Sequence, residues 1–262
     1  METINISLPA LSLVFLLLAL PVILSRAYNL GVIKPLLSSV ARMSVQLLLI
    51  GVFLKYLFFW NNAVLNLAWL VIMILVAVFS AIRGSAMKPG KIFLPVFASF
   101  ALTTLSILFY LNFFVIRIND VFDARYLIVL GGMLLGNSLR GNIVGIDTFY
   151  RSIRKDTKKY LYVLSLGATQ SEAARPYIQE SVRLALKPTL ASMATIGIVA
   201  LPGMMTGVIL GGATPEVAIK YQLMIMIAIV VSTLFSVLLT ILMTSHICFT
   251  KFGTLRGDVF IN

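Results

Sequence analysis

Residues 8–24 read LPALSLVFLLLALPVIL, an apolar run without a single charge. A helix that crosses the hydrocarbon of a bilayer needs about 20 apolar residues, and residues 8–25 meet that need. Glu2 is the early charge, whereas Arg26 and Lys34 follow the run. A signal peptide carries its basic residues in front, so the run is expected to be a retained membrane helix whose N-terminus lies outside.

The rest of the chain repeats the pattern. On the same length criterion seven spans are predicted, near residues 8–25, 36–59, 64–82, 92–116, 126–146, 189–211 and 221–248. Composition agrees: of 262 residues 60% are hydrophobic and 11% charged, with a mean hydropathy of +1.02. Thirty charged side chains cannot shield that much apolar surface from water, and a disordered chain needs the opposite composition. The fold class is therefore an all-α integral membrane protein. Without visible internal repeats or low-complexity linkers, residues 1–262 read as one transmembrane domain. One cysteine, Cys248, and one histidine, His246, provide neither a disulfide framework nor the clusters that hold zinc, copper or iron–sulfur centres, so no resident metal site is expected.

Basic residues collect on the cytoplasmic side of membrane proteins. If the connections after spans one, three, five and seven are inside, they hold Arg26, Lys34 and Arg42, then Arg83, Lys88 and Lys91, then nine residues between Arg140 and Lys187, then Lys251 and Arg256. Only Lys55, Arg117, Arg125 and Lys220 fall outside. The predicted topology is N-terminus out and C-terminus in. The net charge of +12 is then mainly a topology signal; attraction to anionic membrane lipids follows from it, and without a recognition motif no nucleic-acid partner is expected.

The cytoplasmic segment 147–188 is too long for a tight turn and carries its own helical signals. Residues 155–166 place Tyr160, Leu161, Val163 and Leu164 at helical spacings, and Gly167 stands where a left-handed cap would end that helix. Thr169-Gln170-Ser171-Glu172 matches a capping box that starts a second helix, with a bend possible at Pro176. Such a corner is either a linker between spans or a docking element, a short amphipathic helix offered to a groove on a soluble partner.

Leu164-Ser165-Leu166-Gly167-Ala168-Thr169, followed by Ala174, Ser181, Arg183, Ala185 and Pro188, resembles the cytoplasmic loop of the FetB (YbbM) family of ABC-transporter permeases, which includes plant aluminium-tolerance permeases. The resemblance continues through Leu201-Pro202-Gly203-Met204-Met205, Gly207, Pro215 and Tyr221-Gln222. It reaches upstream to Arg42, Gln46, Gly51, Gly132-Met133 and Gly136-Asn137. It implies an inner-membrane permease subunit working as a pair and driven by a separate ATP-binding subunit, which would grip Leu164, Leu166, Gly167, Ala168, Thr169 and Glu172. It also implies metal handling, notably iron export, while plant relatives are linked to nucleotide-sugar export.

The residues support the same division of labour. No phosphate-binding Gly-x-x-x-x-Gly-Lys-Ser/Thr loop occurs, so the chain binds no ATP by that route and any ATP is used by the partner. No Asp or Glu lies deep in a predicted span, which argues against proton coupling, and the residue sets of intramembrane proteases are missing. A transporter or channel that works without an ATPase is the alternative. For the substrate path, Leu201-Pro202-Gly203 breaks span six, either for packing or to line a wet path. Met204 and Met205 are either soft ligands or flexible fillers. Gln46, Asn137 and Gln222 either bond a neighbouring helix or face the solute.

Overall fold

The computed structural model describes residues 7–85, 87–250 and 252–260, and the regular elements there are helical. Among the described residues six helices are long and apolar enough to cross a membrane: Pro9–Ala27, Ile33–Trp60, Ala63–Gly84, Pro89–Ile116, Ala124–Lys155 and Pro215–Cys248. The chain is an all-α, multi-pass membrane protein. Glu2 and Lys251, both used in the charge argument, lie outside the described residues.

The first span is two helices, α1 (Leu8–Leu16) and α2 (Ala19–Ala27). Pro21 offers no N–H to the Leu17 carbonyl and its ring crowds it. The chain tightens there, and the amides of Leu17 and Leu18 reach back three residues to Val14 and Phe15. α3 (Ile33–Trp60) ends at Asn61 in left-handed backbone, φ 39°. The Asn62 side chain caps α4 (Ala63–Gly84) by accepting the amides of Val64 and Leu65. α5 (Pro89–Tyr110) passes into a π-helical turn, Leu111–Ile116, before α6 (Ala124–Lys155). Then come α7 (Thr157–Ser165), α8 (Gln170–Thr195), α9 (Gly203–Leu210) and α10 (Pro215–Cys248).

Two predicted boundaries need correction. The expected span 189–211 is not one helix: it consists of the end of α8, an irregular stretch from Ile196 to Pro202, and the short α9. The break predicted at Leu201-Pro202-Gly203 exists but opens earlier, because Gly197 takes φ 85°, a conformation costly for other residues, and Pro202 supplies no helical N–H. The fifth span also does not stop at residue 146. α6 runs on to Lys155, so the first part of the expected connection 147–188 is helix.

α6 and α10 form the centre of the bundle, with α4, α5 and α8 around them. Between α6 and α10 runs a seam of small and hydroxyl-bearing residues. Ser138 meets Ser232 at 2.9 Å, the Asn142 amide donates to Ser236 at 2.7 Å, and the Tyr150 hydroxyl donates to Thr244 at 2.7 Å. Each pair is separated by 94 positions. A constant offset means two parallel helices held in register over their length. A Cβ on Gly141 would collide with the Thr233 methyl, and one on Gly145 with Val237, so these glycines set how close the helices come. α1, α2 and α3 are different: most of their side chains are exposed, and α3 meets the bundle at a few points such as Phe53, tilted 37° against Trp69 with centroids 4.2 Å apart.

Candidate substrate cavity and docking corner

The corner after α6 is built as its residues dictate. α7 ends at Ser165 with Leu166 as its cap, Gly167 turns the chain with φ 94°, and its amide donates to the Leu164 carbonyl at 3.0 Å. Both arms of the capping box are made: the Thr169 amide donates to Glu172 Oε2 at 2.8 Å and the Glu172 amide to Thr169 Oγ1 at 3.3 Å. The hydrogen bonds from the Thr169 hydroxyl and amide hold the Glu172 carboxyl below its ordinary range. Pro176 lies inside α8, which stays continuous through it.

Tyr160 anchors α7. It is buried, with Phe249 5.9 Å away on one side and Tyr177 6.2 Å away on the other, and burial followed by the charge of a neighbouring Tyr177 raises its hydroxyl pKa. The chain beyond α10 ties this corner down. The Lys88 amide in the α4–α5 turn donates to the Val259 carbonyl at 2.9 Å, and Phe260 packs against Tyr150 and under the Arg154 guanidinium. Against this rigid base, Leu166 is 69% exposed and Tyr162 64%. Leu164 and Ala168 are half-buried, and Gly167 is open. The corner therefore presents two large side chains outward on a fixed turn.

The second feature is a half-open cavity of about 560 Å³ bordered by α6, the end of α8, the break and α10. It gathers Asn137, Pro202, Met204 and Gln222, four residues predicted for a substrate path. Gly203 and Met205 do not line it, and Gln46 lies elsewhere, in a mainly apolar groove of about 740 Å³ between α3, α4 and α6. A Cβ on Gly203 would meet open space, so that glycine is not needed for a close approach. The Asn137 amide donates to the Met133 carbonyl of its own helix at 2.9 Å. Gln222 is 5% exposed and its Oε1 has no partner.

Arg140 also lines this cavity. The charge count had placed it in the cytoplasmic connection, yet it stands about four turns before the end of α6. An arginine inside a predicted span, 126–146, was the signal available in the sequence. Among the described residues no carboxylate pairs with it, and no group of three or more His, Cys, Asp or Glu side chains could hold a metal ion.

A family model described as uncharacterised protein family UPF0014 matches residues 8–249, which takes in the whole bundle, the corner and the cavity. The chain belongs to this family. The probable iron export permease protein FetB of Escherichia coli is 33% identical over 226 residues, 86% of this chain and 85% of that protein. The protein ALUMINUM SENSITIVE 3 of Arabidopsis thaliana is 33% identical over 262 residues, covering 96% of this chain and 90% of its own. The membrane protein YjkA of Bacillus subtilis is 31% identical over 95% of this chain and 96% of its own. These relatives uphold the resemblance drawn from the corner and the Leu-Pro-Gly-Met-Met run. No solved structure matches the chain.

Proposed function

We propose that this chain is the membrane-spanning permease subunit of an ABC transporter, an inner-membrane protein with its N-terminus out and its C-terminus in. A separate subunit hydrolyses the ATP, and two copies of the permease work as a pair. The observation that carries this reading is the corner: Leu166 and Tyr162 stand exposed on a turn fixed by Gly167 and the Thr169–Glu172 cap. An exposed apolar pair on a braced turn suits a partner's groove better than water. Leu164 and Ala168 would support that contact from behind.

The cavity between α6, α8 and α10 is the transport path in this reading. Asn137, Gln222, Pro202 and Met204 line it, and irregular backbone at membrane depth is tolerated where it borders such a space. The likeness to a probable iron export permease makes export of a metal, iron first, or of another small polar solute the activity to test. No catalytic residue and no directly bound cofactor is assigned to this chain.

The test is co-expression with the candidate ATP-binding subunit, pull-down, and transport in vesicles holding both proteins. ATP-dependent movement of Fe2+ or another solute, lost together with subunit binding in Gly167→Val, is the expected result. Transport that proceeds without ATP and without any bound subunit would replace this reading with an ATPase-independent transporter or channel.

A further inference from the structure

Arg140 and Gln222 sit on the same cavity but not at the same depth. The 94-residue offset between α6 and α10 places Gln222 level with Ile128, about 18 Å along the bundle from Arg140. The cavity is thus elongated, with a cation toward its inner end and a buried amide whose Oε1 has no partner toward its outer end. Thr189, Ser192 and Thr195, spaced by three along α8, line the same cavity. No Asp, Glu, His or Cys lines the cavity.

An unneutralised guanidinium within a membrane span is costly and persists where it faces a wet cavity or a partner. It repels a bare divalent cation. It binds an oxyanion by two parallel charge-assisted hydrogen bonds. The hydroxyl and amide groups above it would take up the neutral, hydrogen-bonding remainder of a solute.

Resting on the reading of this cavity as the transport path, we propose that it is an oxyanion site: the solute carries a phosphate-like or carboxylate group, Arg140 is its docking residue, and Gln222 binds a hydroxyl or N–H at the far end. A metal that used this path would travel as an anionic complex. The same chemistry is offered by a soluble anion and by the headgroup of a bilayer lipid entering from the side, and the experiment separates them.

The permease alone is reconstituted into nanodiscs of zwitterionic lipid and titrated with pyrophosphate and, separately, with citrate. In a second arm, native mass spectrometry measures the anionic phospholipid that stays with the protein purified from a mixed bilayer. Wild type is expected to bind at least one of the soluble anions or to retain the lipid. Arg140→Gln should weaken that binding by about tenfold or more, and Arg140→Lys should keep a measurable part of it. Gln222→Leu should weaken a hydroxylated anion such as citrate more than pyrophosphate. Arg151→Gln, which removes an exposed arginine at the cytoplasmic end, should bind as wild type does. Binding in one arm alone names the source of the anion. Equal loss in Arg151→Gln and Arg140→Gln, undiminished binding in Arg140→Gln, or no anion bound in either arm overturns the proposal. The ATP-binding subunit is absent from these measurements, so its failure to dock in pull-down would sink the transporter reading without touching this result.

Discussion

α6 and α10 meet on one side without a gap and part on another to leave a cavity. On the closed side Asn142 gives both amide hydrogens away, to the Ser138 carbonyl and the Ser236 hydroxyl. On the open side Gln222, just as buried in kind, makes no such bonds; the carbonyl oxygens of both amides lack a partner, so the difference lies in what their N–H groups hold. Two amides on one helix pair thus differ in their donors and in whether they border the cavity. An amide that donates across to its neighbour holds helices together, and one that donates to nothing beside a cavity is free to meet a ligand.

The largest effect should come from forcing the closed side apart. Gly141→Leu puts a side chain where the Thr233 methyl stands. Overpacking of this kind costs about 1–3 kcal/mol, and here the neighbour sits on a rigid parallel helix, so the upper end is expected. Thermal unfolding in detergent should show a clear loss of stability. The same substitution at Gly203, with open space around it, should leave stability close to wild type. An unchanged melting temperature in Gly141→Leu would mean that the helices are not in the register described.

The two amides give the next contrast. Asn142→Leu leaves the Ser236 hydroxyl without its donor and should cost about 1–2 kcal/mol. Gln222→Leu removes a group that has no partner to abandon, so it should be nearly neutral in stability while reducing transport. If unfolding instead ranks Gln222→Leu as the more damaging change, the amide is structural and the cavity is not a path.

These contrasts also mark where the sequence was legible. The capping box and the glycine turn are local features: Thr169, Glu172 and Gly167 lie within a few residues of one another, and their chemistry permits little else. The seam between α6 and α10 was half-legible. Ser232, Ser236, Thr240 and Thr244 recur every four residues on one helical face, and Ser138 and Asn142 have the same spacing. That marks a polar face, but its partner lies 94 positions away and only the fold reveals it. Arg140 was hidden by its sign. A basic residue near the inner end of a span is counted as topology, and its place inside the predicted span 126–146 was the one hint that it lines a cavity. Gly203 entered the predicted path as part of the break and Met205 as a soft ligand beside Met204, yet neither joins the cavity lining as Met204 does.

At the corner the expected effect is smaller and local. Gly167→Val forces a β-branched residue into φ 94°. Left-handed backbone costs L-residues about 1–2 kcal/mol, and a Cβ there meets no atom, so the turn should tilt while the bundle stays intact. The expected outcome is a monodisperse protein with weakened binding of the ATP-binding subunit. Normal binding would move the docking surface elsewhere.

The smallest effect should be a pH dependence of the cap that begins α8. Glu172 is exposed, and its carboxylate is held below the ordinary value of 4.5 by bonds from the Thr169 hydroxyl and amide. A group whose folded pKa is depressed binds fewer protons in the folded state, so it adds stability above its unfolded pKa and loses it as the pH falls through the lowered value. Glu172→Gln keeps the shape but cannot titrate. Hydrogen exchange in the first turn of α8 should therefore be slower in wild type than in Glu172→Gln at neutral pH, and the two should converge as the pH drops below 4.5 and through the lowered value. The melting of the bundle should not follow, because the seam between α6 and α10 contains no titrating carboxylate. A difference between the two proteins that stayed constant across that range would mean that the Glu172 charge plays no part in the cap and that the Thr169 hydroxyl alone fixes the turn.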